Sequence, residues 1–166
     1  MPGFKFRLQP VLDQRVAAEE EARKTWTLRQ EEWRAEQRRL EEAKRKEQDL
    51  IARREHLRRN LMAPAPGENS LPSGGIKQRV EYVKALGLDI EAARDAVFSQ
   101  KLVVEEAEEK VKEAHKHMLE CQRQVEVLEK YRERLEQRWR RELERKEEAE
   151  LDEIGQTLYS TRRRSS

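Results

Sequence analysis

The second half of the chain repeats apolar residues every seven positions. A second row follows three residues after the first, and small side chains occupy several of its positions. The two rows are Ile76, Val83, Ile90, Val97, Val104, Val111, Met118 and Val125, and then Leu86, Ala93, Ala107, Ala114, Cys121, Leu128 and Leu135. This spacing predicts a long α-helix whose a and d positions form the seam of a left-handed coiled coil.

Helix-breaking residues are concentrated between residues 63 and 75, which hold three of the five prolines and three of the six glycines. We interpret this stretch as a turn between two helices. A weaker seven-residue pattern precedes it, at Leu12, Trp26, Trp33, Leu40 and Leu61. The pattern predicts an all-α protein: a single antiparallel two-helix coiled-coil hairpin over 1–166, with a longer C-terminal helix. Its expected parts are a helix at about 4–62, the turn at 63–75, a helix at about 76–159 and a flexible tail at 160–166.

A hairpin folded symmetrically at the turn places Trp26 near Val111 and Leu40 near Val97. The second helix then extends past the first by about 25 residues, from about Arg134. This predicted extension contains six large apolar side chains, Trp139, Leu143, Leu151, Ile154, Leu158 and Tyr159. Because they are expected to have no partner within the chain, they predict a partner outside it.

The composition argues against an enzyme with a buried pocket. Charged residues form 42% of the chain and aromatic residues 5%, a balance typical of long helices. No phosphate-binding loop or nucleophile motif is present, so we expect no catalytic residue and no cofactor. His115 and His117 are two positions apart and face different sides of a helix, which does not favour a metal site. Cys121 lies at a d position and is interpreted as a core residue.

Charge and hydropathy restrict the remaining functions. No apolar run is long enough to span a membrane, and a single cysteine fits a reducing compartment, so we expect a cytoplasmic protein. Short arginine clusters, such as Arg162–Arg164, could contact phosphates, but they are mixed with acidic residues and lack stacking aromatics. We therefore expect no nucleic-acid partner. Two alternatives stay open. One is a structural tether or dimeric scaffold, because the β-branched a positions Val97, Val104 and Val111 suit a parallel dimer. The other, less favoured, is nucleic-acid binding through the arginine clusters.

Both ends of the sequence carry motifs of a known family. Residues 4–15 read FKFRLQPVLDQR and resemble the F-x-F-x-L-x-x-V-L-x-x-R start of FliJ, a coiled-coil component of flagellar type III export. Leu128–Tyr131 and the later Glu150–Ile154 are similar to the C-terminal E-L-D-E-hydrophobic signature of that family. Arg162–Arg164 lie outside the family pattern.

The resemblance implies a non-catalytic stalk. FliJ-like proteins insert their terminal end into the hexameric export ATPase, FliI, promote its assembly and activity, and contact the export-gate protein FlhA and export chaperones. It implies a cytoplasmic protein held peripherally at the inner face of the cell membrane. The residues that it implies for the ATPase contact are Phe4, Phe6, Arg7, Leu8, Arg15, Arg132, Arg138, Trp139, Arg140, Arg141, Leu151, Asp152, Glu153 and Ile154.

Overall fold

The protein consists of two helices packed against each other. The structure is a computed structural model, and it describes residues 3–61 and 73–165. Helix α1 is Gln9–Arg59, with 51 residues, and helix α2 is Ser73–Arg164, with 92 residues. The described residues contain no strand. The all-α prediction and the longer second helix are therefore confirmed.

Helix α1 begins five residues later than the sequence pattern suggested, because of Pro10. Its first backbone bond joins the Leu12 N–H to the Leu8 carbonyl at 2.9 Å, so Pro10 lies in the first turn. A proline is tolerated there, since its missing N–H would have no partner within the helix. A start at Phe4 would have placed the proline in the helix interior, where its ring clashes with the preceding turn.

The predicted turn lies mostly outside the described residues, and α2 begins at Ser73 rather than near residue 76. Its first turn carries Gly74 and Gly75. Glycine weakens a helix by only about 1 kcal/mol relative to alanine, so a helix end can include it.

The C-terminal tail expected at 160–166 is helical as far as Arg164. No proline follows residue 72, so the chain contains no strong breaker in this region. The hydroxyls of Thr157 and Thr161 donate to carbonyls four residues earlier, at 2.9 and 2.8 Å, which local helix geometry permits. Arg162–Arg164 form the last turn, where positive charge interacts favourably with the helix dipole.

The chain divides into two compact units, and residues 24–115 form one of them. Leu86, Ile90 and Val97 are buried in this unit. Gln100 Nε2 donates to the Glu36 carbonyl at 3.0 Å and to its carboxylate at 2.6 Å. The helix segments of this unit run antiparallel. Arg79 of α2 contacts Leu61, whereas Gln100, further along α2, contacts Glu36, which lies earlier in the chain, in α1.

Residues 1–23 and 116–166 form the other unit. Its core is a cluster of Phe6, Leu12 and Val125, with Leu128 and Leu135 packed against it. Arg15 donates to the side-chain oxygen of Gln124 at 2.6 Å. Within this unit the helices are also antiparallel, and the buried residues of α2 fall on the predicted seam.

The seam as a whole is covered within a single chain. Every predicted a and d residue from Ile76 to Leu135, except Arg132, is buried or partly buried. Even the polar seam residues have partners, since Arg79 donates to the Leu61 carbonyl at 3.1 Å and Gln100 contacts Glu36. A parallel dimer through Val97 would need a seam that α1 already covers, and Val97 is only 6% exposed.

Candidate functional site

The N-terminal segment, Gly3–Leu8, packs on α2 before α1 begins. The Phe6 ring is buried, and its centroid lies 6.0 Å from that of Tyr131 in an edge-to-face arrangement. The Phe4 ring is partly buried, with its centroid 6.1 Å from the Trp139 indole. Such aromatic pairs contribute about 0.5–1.5 kcal/mol beyond their buried area, so they hold the segment in place.

An open cavity of about 600 Å³ lies between this segment and α2. Its floor is apolar, and Lys5, Arg7 and Arg138 give its rim a positive charge that Glu142 only partly offsets. The residues that line it are Phe4, Lys5, Phe6, Arg7, Leu8, Tyr131, Leu135, Arg138, Trp139 and Glu142. The arrangement suits an apolar side chain with acidic neighbours.

The last part of α2, Glu144–Arg164, is exposed at every residue. We call it the C-terminal segment. Leu151, Ile154 and Leu158 are between 56% and 68% exposed. Their spacing of three and then four residues places them on one face of the helix. A row of this kind has no role in the fold of the chain and is available to bind another protein.

Charge alternates along the end of α2. Residues 132–141 contain five arginines and two glutamates, whereas residues 144–153 contain six carboxylates and two basic residues. Arg140 pairs with Glu136 at 3.0 Å, but both side chains are substantially exposed, so this pair adds little stability. The positive and negative bands therefore remain available to orient a partner of complementary charge.

The structure divides the predicted site residues into three groups. Phe4, Phe6, Arg7, Leu8, Arg138 and Trp139 surround the cavity. Leu151, Asp152, Glu153 and Ile154 lie on the exposed C-terminal segment. Arg132, Arg140 and Arg141 are exposed on α2, and Arg15 is exposed on α1, where it contacts Gln124.

The predicted unpaired extension starts later than Arg134. Leu135, Trp139 and Leu143 are partly buried, and Trp139 contacts Phe4. The reason is that the N-terminal segment continues past the start of α1 and covers this part of α2. The expectation that Trp139 has no partner within the chain is therefore wrong, and the stretch in which every residue is exposed begins at Glu144.

Four residues that line the cavity, and Leu158 of the apolar row, were absent from the residues predicted for the ATPase contact; the four are Lys5, Tyr131, Leu135 and Glu142. Tyr131 packs on Phe6, and Leu158 extends the row of Leu151 and Ile154. Leu158 was nevertheless among the apolar residues of the predicted extension, two helical turns from Leu151. The contact of Tyr131 joins residues that are far apart in sequence, so no local pattern indicates it.

The two histidines and the cysteine considered for metal binding or redox chemistry contact neighbouring side chains of the fold. The His115 ring lies 5.1 Å from the Trp26 ring, and His117 is 3.8 Å from the buried thiol of Cys121. Within residues 3–61 and 73–165, no three His, Cys, Asp or Glu side chains are grouped to hold a metal ion. Over the same ranges, neither helix has a stretch apolar enough to cross a bilayer.

The fold is that of a two-helix coiled coil, with an exposed row of apolar residues near the C-terminal end of α2. The chain belongs to the YscO-like family, whose model matches residues 3–165. This is a structural or accessory family related to type III secretion, and it is not known to be catalytic. The comparisons name YscO and do not name FliJ, so the resemblance at the two ends is confirmed only at the level of type III secretion.

One solved structure is similar over almost the whole length. It is the structure of CT670 from Chlamydia trachomatis, which is described as a YscO homologue. The TM-score is 0.77 at 21% sequence identity, and the match covers 98% of this chain and 99% of CT670. At this identity the likeness supports the fold. A search of curated proteins gave no significant match.

Proposed function

We propose that this protein is a non-catalytic stalk for the hexameric ATPase of a type III secretion apparatus. Its C-terminal segment, together with the N-terminal segment packed on α2, enters the ring and promotes assembly and activity of the ATPase. The family match supports a secretion-related role. The sequence resemblance to FliJ supports the flagellar form of the apparatus, whereas the YscO-like family match supports type III secretion in general. The flagellar and the injectisome ATPases are therefore both candidate partners.

The exposed apolar row of the C-terminal segment is the observation that carries the proposal. Leu151, Ile154 and Leu158 cost solubility and contribute nothing to packing within the chain. An apolar row on a single helix fits a hydrophobic groove or collar in a partner, with anchors spaced by three and four residues. The pore of a ring can provide such a collar, because it surrounds a single inserted helix.

The charged bands give the interaction its orientation. The arginine-rich band at 132–141 and the carboxylate-rich band at 144–153 occupy successive turns of one helix. A partner with the opposite order of charges along its pore would bind the helix in one direction and at one depth. Complementary charge of this kind sets specificity and association rate more than affinity.

Coupling in this mechanism is conformational. One helix inside a ring of equivalent subunits contacts them unequally, so it stabilises some subunit conformations relative to others. The shift in population is limited by the difference in its affinity for those conformations. The chain supplies no catalytic group; the chemistry of ATP hydrolysis stays with the ATPase.

Further partners of the same apparatus complete the proposal. An export-gate protein of the FlhA type and export chaperones would bind surfaces outside the ring. Such contacts would hold the protein peripherally at the inner face of the cell membrane, through the apparatus.

The rate of ATP hydrolysis, titrated with this protein, tests the proposal. Each candidate ATPase is held near its assembly threshold. We expect stimulation that saturates at one chain per hexamer, with the stimulated ATPase identifying the apparatus. The triple variant L151S/I154S/L158S should lose the stimulation, because it removes the apolar row.

Leu28→Ser is the matched control for that variant. Leu28 is 52% exposed on α1 and lies outside the proposed contact, so its replacement should leave the stimulation unchanged. Circular dichroism verifies that each variant keeps its helix content. A folded wild-type chain that stimulates neither ATPase would contradict the proposal.

A further inference from the structure

A second group of exposed apolar residues lies on α2, in the unit formed by residues 24–115. Leu88, Phe98 and Leu102 are 68%, 64% and 52% exposed. The seam residues of the same stretch are buried or partly buried, with Ile90 at 1% exposure. These three large side chains therefore do not serve the packing of α1 on α2.

Heptad numbering places the three residues on the outer face of the helix. With Ile90 and Val97 at a, Leu88 and Leu102 are at f and Phe98 is at b, positions that face away from a coiled-coil partner. Leu102 follows Phe98 by four residues, so the two side chains are neighbours. The exposed Ala85 and Ala92, at c, complete what we call the outer patch: Ala85, Leu88, Ala92, Phe98 and Leu102.

Charges of both signs border the outer patch, with a small acidic excess. Among the b, c, e and f positions from 84 to 106, the acidic residues are Glu91, Asp95, Glu105 and Glu106, and the basic residues are Lys84, Arg94 and Lys101. Arg94 already pairs with Glu47 of α1 at 3.3 Å. Glu106 has Lys110 at 3.7 Å. Glu91, Asp95 and Glu105 make no ion pair with any described residue, so their charge is available to a partner.

We propose that the outer patch docks a basic amphipathic helix of a partner protein. Leucine-type anchors at a spacing of three and four residues would cover Leu88, Phe98 and Leu102, and flanking Lys or Arg would meet Glu91 and Asp95. A second copy of this chain fits poorly, since a symmetric contact through the patch would bring like charges together. The proposal does not depend on the ATPase contact, which uses a different part of the chain.

A fluorescein-labelled synthetic peptide of about 21 residues, with leucine on one helical face and lysine elsewhere, is a suitable probe. Binding to the full chain is followed by fluorescence anisotropy in about 150 mM salt. We expect F98S/L102S to weaken binding at least about tenfold, as loss of central apolar anchors does. E91K/D95K should weaken it about threefold or more and reduce its salt dependence.

Controls separate this site from other causes. Leu28→Ser has the same starting exposure as Leu102, 52%, and should bind the peptide as the wild-type chain does. A peptide with glutamate in place of lysine should bind at least about tenfold more weakly, since its charge repels the patch. F98S/L102S should keep the helix content and the ATPase stimulation of the wild type, so failure of one proposal is distinguishable from failure of the other.

Two results would overturn the inference. One is equal binding of the lysine peptide by F98S/L102S and the wild-type chain. The other comes from sedimentation: a wild-type dimer that F98S/L102S converts to a monomer would assign the outer patch to a second copy of the chain.

Discussion

Helix α2 contains two neighbouring stretches that differ in what surrounds them. Between Lys116 and Leu143 its apolar seam residues are buried or partly buried, with Val125 in a cluster with Phe6 and Leu12. Between Glu144 and Arg164 no residue is buried, although the helix continues without a break. The first stretch is stabilised by packing, whereas the second depends on local helix preference and on continuity with the first.

The difference indicates where apolar residues serve the fold and where they serve binding. Val125 is packed on all sides, so truncating its side chain leaves a cavity. Leu151 and Leu158 leave no cavity, because nothing packs on them. Substitutions in the packed stretch should therefore reduce stability, and substitutions in the C-terminal segment should reduce partner binding at almost constant stability.

The largest expected effect comes from one substitution made in both environments. Leu12 is 4% exposed and Leu151 is 68% exposed, and both lie in helices. Leu12→Ala should lower the free energy of unfolding by about 2–5 kcal/mol, the range for buried leucine. Leu151→Ala should change it by no more than about 0.5 kcal/mol. Urea unfolding measures both, and equal losses would contradict the comparison.

Reversing the arginine band tests the boundary between the two stretches. Arg138, Arg140 and Arg141 are exposed, so R138E/R140E/R141E should keep the helix content. It should weaken ATPase binding about tenfold in low salt, with a smaller difference as salt screens the charges. The control R34E/R38E/R45E alters three exposed arginines of α1 and should bind as the wild type does. A matching loss of helicity and binding would show that the band maintains the fold.

A smaller effect is expected where the N-terminal segment meets α2. A double-mutant cycle of Phe4→Ala and Trp139→Ala, measured by urea unfolding, should give a coupling of about 0.5–1.5 kcal/mol. The physical reason is the ring contact at 6.1 Å. A coupling of zero would mean that Trp139 belongs with the unpartnered residues of the C-terminal segment.

The smallest expected effect concerns Gly155. A methyl group added there meets no atom within 4 Å, so alanine fits without strain. Gly155→Ala should stabilise the C-terminal segment by up to about 1 kcal/mol through helix preference alone. Slower amide hydrogen exchange between residues 151 and 164 would show it. Gly87→Ala, at a second site without close atoms, is the matched comparison in the packed part of α2.

Much of the fold could be predicted from the sequence because a seven-residue repeat is a local signal. Ile90, Val97 and Met118 were placed on the seam by spacing alone, and all three are buried. The start of α1 was misplaced because the F-x-F segment was included in the helix, although its apolar residues alternate with a period of two and Pro10 favours the first helical turn.

The candidate site was predicted less completely, since it depends on contacts between distant residues. The pairs Phe4–Trp139 and Phe6–Tyr131 join the two ends of the sequence, and no periodicity encodes them. The row of Leu151, Ile154 and Leu158 is local and was visible. The terminal motifs indicated type III export, and the family match supports this. They indicated FliJ within it, which the family match does not name, because a short apolar and charged signature does not separate related coiled-coil families.

Site-specific photocrosslinking to the purified ATPase hexamer tests the central claim most directly. Benzoylphenylalanine is placed at Leu158 in the full chain, and at Leu28 as the exposed control. The account predicts a covalent adduct with the ATPase from position 158, with little or none from position 28. Adducts from position 28 alone, or equal adducts from both positions, would contradict insertion of the C-terminal segment into the ring.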